Sequence, residues 1–205
     1  MKPVIVLDYD GTLVDSMSDG YNAVCKIFVE EGLNPPSRDE YQRSVPSYYL
    51  WYQSHGVTLT VGAVSERFDR YRQKEPYSLF PKAREFVWEL KKRGHILLLA
   101  STNYGANVLP ILYDHGLADA FSAWFCGSND KAEAIRCLCK QVDAPVQRES
   151  VIIVGDTPHD MAVAQALCVQ GIGITHGLFS QAILIESGAD HCVDSFAKLL
   201  EYIGD

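Results

Sequence analysis

The chain has 205 residues, is 47% apolar and carries a formal net charge of −8. That length fits one ordinary domain, or a core domain with a small insertion, and the apolar share is ample for a packed core. The acid excess and the lack of a lysine or arginine run speak against a nucleic-acid surface, but not against a local basic site for a small anion.

In chain order, Met-Lys-Pro runs straight into "PVIVLD" (3–8), which leaves no room for a signal peptide. The run is continuously apolar, as a parallel strand covered on both faces should be, and it ends on Asp8 with Asp10 two positions on. From about Ser16 to Ser78 the pattern is helical without a convincing strand. Tyr21, Val24, Ile27 and Phe28 share one face, Val61, Val64, Phe68 and Tyr71 another, and Pro35–Pro36 breaks the segment between them. Ala83, Phe86, Val87 and Leu90 follow helical spacing to a stop at Gly94, after the cations Lys91, Lys92 and Arg93. "HILLLAS" (95–101) reads as a second buried strand, and "AFSAWF" (120–125) as a fainter one. Ile135, Leu138, Cys139 and Val142 mark another helix. "SVIIVGD" (150–156) and "GIGIT" (171–175) are further strands, and Phe196, Leu199, Leu200 and Ile203 a closing helix.

Alternating strand and helix predict an α/β fold: a doubly wound, Rossmann-like parallel sheet with right-handed crossovers. The expected core covers 1–15 and 79–205, and residues 16–78 form a small all-helical cap inserted after the first strand, with hinges near Asp15–Ser18 and Pro76–Phe80. Six cysteines are too few for a disulfide scaffold at this length. Cys137 and Cys139 point apart on a helix, so a zinc pair is not expected and all six are read as thiols. No apolar stretch approaches the roughly 20 residues of a membrane span, and a cytoplasmic protein without membrane or nucleic-acid partners is expected.

In an open α/β sheet, ligands bind beyond the carboxyl ends of the strands. Asp8 and Asp10, the Ser101-Thr102-Asn103 cluster, and Gly155-Asp156 with Asp160 all fall there, while Lys131 precedes the helix before the third strong strand. Two carboxylates as close as Asp8 and Asp10 raise each other's pKa unless a cation or donors offset them.

These four stretches resemble the haloacid dehalogenase superfamily in its phosphatase branch. The first motif stands here as Asp8-Tyr9-Asp10-Gly11-Thr12-Leu13, the second as Ser101 ending an apolar strand, the third as Lys131, and the fourth as Gly155-Asp156-Thr157-Pro158-His159-Asp160. The "GTLVDS" run (11–16) and "THG" after the 171–175 strand are similar to phosphoglycolate-phosphatase-like members. The specified positions of the first motif arise together by chance at roughly one site in a million. Three departures are modest: Tyr9 for a common Phe, no proline after Lys131, and Lys82 for a frequent glycine after Pro81.

The resemblance implies a phosphatase in which Asp8 is the nucleophile, forming an aspartyl-phosphate, and Asp10 the general acid and then base. It implies Mg²⁺ on the carboxylates of Asp8 and Asp156 and the main-chain carbonyl of Asp10. Gly11 lets the backbone approach the phosphate, Ser101 donates a hydroxyl with amides near Thr102 and Asn103 helping, and Lys131 supplies fixed charge. Asp160 supports the metal shell or orients the lysine. Thr102 instead of Ser101 stays open as the phosphate-facing hydroxyl. His159, the aromatics Tyr48, Tyr49, Trp51 and Tyr52, and the arginines Arg43 and Arg67 are weighed as substrate contacts against solvent-facing or packing roles.

The expected substrate is a small phosphorylated metabolite of the phosphoglycolate, sugar phosphate or nucleotide monophosphate class, turned over by a monomer or homodimer. Asp10 speaks against a dehalogenase, which needs neither a proton donor there nor a metal. A phosphomutase of the same superfamily, similar to β-phosphoglucomutase, is the alternative enzyme. A binding protein retaining the fold is the alternative outside catalysis, though none of the four motif groups is missing.

Overall fold

The computed structural model describes residues 2–43, 48–74, 77–128 and 130–204. Pro76 and the side chains of Arg43, Tyr48 and Tyr49 lie outside the described residues. One six-stranded sheet carries the fold, built from β1 (Val4–Leu7), β2 (Leu97–Ser101), β3 (Ala123–Cys126), β4 (Val151–Gly155), β5 (Gln170–Ile174) and β6 (His191–Val193). The spatial order is β3-β2-β1-β4-β5-β6 and every pairing is parallel.

Strand burial explains the continuous apolar runs. Val4, Val6, Leu98, Ala100, Val151 and Ile153 form one cluster with Ile135, Leu138 and Cys139 of α7 (Lys131–Gln141) and with Val163, Ala164 and Leu167 of α8 (Pro158–Leu167). Ile5, Leu7, Leu97 and Leu99 alternate with that set and are fully buried too. Both faces of the sheet are therefore covered, which removes the polar alternation of a half-exposed strand. The remaining described α-helices of this unit are α5 (Ala83–Lys92), α6 (Gly105–Asp114), α9 (Gln181–Glu186) and α10 (Phe196–Ile203). Phe86 of α5 stacks on Phe196 of α10 with ring centroids 4.7 Å apart.

The chain runs from β1 outward to β2 and β3, then returns to the other side of β1 as β4. The gap between the carboxyl ends of β1 and β4 is thus the topological switch point where α/β sheets bind ligands. Register sets the two ends level, Leu7 pairing with Val154.

Residues 16–77 form a separate compact unit, distinct from residues 1–15 and 78–205. Its described elements are helical: α1 (Ser16–Glu30), α2 (Arg38–Arg43), α3 (Tyr48–Ser54) and α4 (Val61–Lys74). Val24, Ile27, Phe28, Tyr41, Tyr52, Val57 and Val64 make its core. Val61 departs from the expected apolar face: it heads the first turn of α4 and is 53% exposed. Trp51 and Tyr52 pack inside this unit, Trp51 lying 5.7 Å from Phe28 and 5.4 Å from Tyr52 by ring centroid. Arg67 is held by Glu31 at 2.7 Å and Glu30 at 3.3 Å.

In the α/β unit, the segments flanking the insertion are stitched together. Val14 bridges Leu79 antiparallel, the Asp15 amide donates to the Ser78 carbonyl, and the Phe80 amide donates to that of Leu13. The six cysteines are free thiols. Among the described residues, no helix is long and apolar enough to cross a membrane.

Candidate active site

Asp8 and Asp156 owe their places to strands that stop. β1 ends at Leu7, and Asp8 follows with its amide bonded to the Val154 carbonyl, so its side chain sits at the switch point. The backbone then turns sharply through Gly11, at φ 73°. A Cβ on Gly11 would lie 2.1 Å from Asp156 Oδ2, so only glycine lets this loop pass the second acid. β4 ends at Gly155, and Asp156 follows, 1% exposed. The Leu178 amide donates to its Oδ2 at 2.8 Å, and the Thr12 hydroxyl to its Oδ1 at 3.3 Å.

Asp160 is placed by helix chemistry. Thr157 caps α8, with Pro158 in the first turn, and Thr157 and Asp160 form a reciprocal capping box. The Thr157 hydroxyl donates to Asp160 Oδ2 at 2.6 Å, leaving Oδ1 turned inward. Lys131 opens α7, whose cap Asp130 accepts from the Glu133 amide. Its ammonium donates to Asp160 Oδ1 at 2.5 Å and to Asp8 Oδ1 at 2.6 Å. A lysine 4% exposed between two carboxylates is a paired, desolvated charge, quite unlike a surface lysine.

Carboxylate oxygens of Asp8, Asp156 and Asp160 lie within 4.8 Å of one another. Burial pushes the Asp8 carboxyl from its ordinary 3.8 up to about 7, against the pull of Lys131 and with help from the charges of Asp160 and Asp10. Burial likewise raises Asp156 well above the ordinary range, with Asp8 and Asp160 adding to it. For Lys131, burial alone would favour the neutral amine; the charges of Asp160 and Asp8 override it and leave the pKa raised. Three buried acids against one buried base leave this pocket two positive charges short when all are ionised. The donors are hard oxygens and the deficit is that of a divalent cation, so the residues fit a magnesium-type ion.

The hydroxyl cluster after β2 divides in two. Ser101 is 4% exposed, whereas Thr102 is exposed. The Asn103 amide donates to Ser101 Oγ at 3.0 Å, and its side-chain Nδ2 donates to Asp10 Oδ2 at 3.0 Å. Asp10 and Asn103 are thereby brought together, while the carboxylate of Asp10 stays outside the cluster formed by the other three acids. His159 is exposed on the first turn of α8.

Several contributors escaped sequence reasoning. Thr12 and Thr157 lie inside motifs already singled out, but nothing in the spacing marks them as partners of Asp156 and Asp160. His176 Nε2 donates to the Thr12 carbonyl at 2.9 Å, its ring set between Phe80 and Phe196. Burial lowers the His176 pKa, which favours the neutral ring. A Cβ on Gly177 would lie 2.3 Å from the Gly11 carbonyl oxygen, so glycine is needed where this loop crosses the first. The "THG" signature was visible; the Leu178 amide was not, since a backbone donor has no sequence signal.

The family model for haloacid dehalogenase-like hydrolases matches residues 5–174, most of the chain. The chain belongs to that family. Relatives extend the match over nearly the whole chain. A phosphoglycolate phosphatase from Haemophilus influenzae is 27% identical over 218 residues, covering 96% of each chain. One from Agrobacterium fabrum is 26% identical, covering 97% of this chain and 91% of its own. Among solved structures, a haloacid dehalogenase-like hydrolase from Streptococcus pneumoniae superposes with a TM-score of 0.81 at 25% identity, over 98% of both chains.

Proposed function

We propose that this haloacid dehalogenase-like hydrolase is a Mg²⁺-dependent phosphatase that cleaves a small phosphomonoester through an aspartyl-phosphate on Asp8. The observation that carries the reading is the buried Asp8–Lys131–Asp160 triad, with Asp156 inside the same cluster.

An oxygen of Asp8 attacks phosphorus in line as the bond to the leaving alcohol breaks. Asp10 gives that alcohol its proton, then takes one from the water that hydrolyses the phosphoenzyme. Lys131 holds Asp8 in place and presents positive charge to the transferred group, where negative charge spreads in the transition state. Ser101 accepts the Asn103 amide at its oxygen, which leaves its own O–H free in direction to donate to a phosphate oxygen. Thr102 is exposed, and the Asn103 amide is engaged with Ser101 Oγ, so Ser101 is the hydroxyl assigned to that task. Mg²⁺ would be held by the carboxylates of Asp8 and Asp156 and the carbonyl of Asp10, with Asp160 kept outside by Lys131. When bound, it neutralises the acids so that a phosphate dianion is admitted.

The helical unit, residues 16–77 between the two stitched segments, is assigned the role of cap and of substrate selection. The names of the relatives put 2-phosphoglycolate first in a substrate panel, ahead of sugar phosphates and nucleoside monophosphates.

The test is hydrolysis of p-nitrophenyl phosphate and that panel by the intact chain. Turnover is expected with Mg²⁺, falling to background after chelation and in Asp8→Asn. Activity that survives Asp8→Asn, or no turnover of any phosphomonoester with Mg²⁺, contradicts the reading.

A further inference from the structure

We infer that Asn107 is a positioning residue for the acid–base carboxyl of Asp10, acting through the side-chain amide of Asn103. The inference rests on the phosphatase reading above, because it needs Asp10 to pass a proton to the leaving group.

Asn107 lies in the first turn of α6, where its amide donates to the Tyr104 carbonyl at 2.9 Å. From there its side chain reaches back one turn, and Nδ2 donates to Asn103 Oδ1 at 2.9 Å. With Oδ1 so engaged, Asn103 Nδ2 points the opposite way, 3.0 Å from Asp10 Oδ2. A primary amide has one acceptor end and one donor end. Turned over, Asn103 would set its oxygen against the Asp10 carboxylate and its NH₂ against that of Asn107, two like-to-like contacts in a partly buried site. The acceptor-only carboxylate calls for the NH₂ end of Asn103, and the Asn107 donor holds the other end in that setting.

The consequence falls on the proton. Asp10 Oδ2 accepts an N–H, which in the acid form favours the proton on Oδ1, because a carbonyl oxygen accepts better than a hydroxyl. In the first half-reaction that proton moves to the alcohol oxygen while the P–O bond to it breaks and the Asp8–phosphorus bond forms. Asp10 is left as a carboxylate with Oδ2 still held. In the second half-reaction water bonds to phosphorus, its proton passes to Asp10, and the Asp8–phosphorus bond breaks to release phosphate. Without the Asn103 hydrogen bond the carboxyl would still carry a proton, but would spend less time with Oδ1 aimed at the leaving atom.

Leaving-group dependence separates this role from a general loosening of the loop. An alkyl alkoxide is a poor leaving group and needs the acid; p-nitrophenolate departs with little help. kcat/KM covers the steps up to that departure, so it is the quantity to compare. In Asn107→Ala, kcat/KM for the alkyl monoester that the parent chain turns over fastest should fall about tenfold more than for p-nitrophenyl phosphate, a fraction of the 10²–10⁴ that a placed acid supplies. Asn107→Asp gives a second variant in case the first folds poorly, since an acid in a first turn favours the helix. It replaces the donor with an acceptor-only group that competes with Asp10 for the NH₂ of Asn103, so the same selective loss is expected with the fold intact. Equal losses on both substrates, or none on either, would overturn the inference while leaving the phosphatase reading in place. A parent chain that hydrolyses neither substrate overturns both.

Discussion

Asp8 has one buried cation beside it and two buried acids within reach, and this imbalance governs what its substitution and titration should do. Lys131 is the sole basic group in that cluster among the described residues, so removing it leaves Asp8 and Asp160 buried against each other. Breaking a buried pair in this way costs about 3–5 kcal/mol. Lys131→Met should therefore lower the urea midpoint of the metal-free protein by that much stability, and an unchanged midpoint would show that the lysine is not buried between the two acids. The raised Asp8 carboxyl gives a second expectation. The folded chain keeps its proton up to about 7, while the unfolded chain releases it near 3.8. Across that window the folded state binds more protons, so stability is fully present below about 4 and is lost as pH rises towards 7. Asp8→Asn removes the titration. Without metal, the variant should gain stability relative to the parent steadily from pH 4 to 7, and a difference flat with pH would contradict the burial of Asp8. At this scale the motif acids and Lys131 were legible because each is a charged side chain at a strand or helix end. Thr12, Thr157 and the Leu178 amide were not, because their roles are hydrogen bonds fixed by the tertiary fold.

Elements carry the site only as well as their ends are made. Lys82, noted in the sequence as standing where glycine is frequent, precedes α5 at φ 71°, in the left-handed region. An L-residue there costs about 1–2 kcal/mol, whereas glycine loses roughly 0.5–1 kcal/mol more conformational entropy on folding. The side chain pairs with Glu85 at 3.1 Å, but both are largely exposed and the pair contributes little. Lys82→Gly should thus stabilise the chain by roughly 0.5 kcal/mol, seen as a small rise in Tm without change in activity. A fall in Tm would mean that the turn prefers the lysine. Element legibility followed burial. Continuous apolar runs gave β1, β2, β4 and β5, since strands covered on both faces cannot alternate. β6 is three residues long with an exposed His191, too short and too polar to read. α6 carries Pro110 inside it, which breaks the expected helical pattern, and α9 spans six residues. β3 was faint because its residues are only half-buried or exposed at the sheet edge.

For the whole molecule, the strand order turns four distant sequence segments into one site. β1 and β4 are neighbours although Asp8 and Asp156 are 148 positions apart in the sequence, and the crossover places both acids beyond adjacent strand ends. That convergence was foreseeable from alternating strands and helices together with the motif order. The arrangement of donors around it was not. What the helical unit contributes was equally out of reach, because its aromatics turn out to pack on one another where they are described. The claim on which the rest depends is chemical: the phosphoryl group rests on residue 8 during turnover. Rapid acid quench of the Mg²⁺-loaded enzyme with phosphate-labelled substrate, followed by peptide mass spectrometry, reads this out. The label should appear on the peptide containing Asp8, be released by hydroxylamine as an acyl phosphate is, and be absent in Asp8→Asn. Label on any other residue, or steady turnover with no enzyme-bound label at any quench time, would contradict the mechanism.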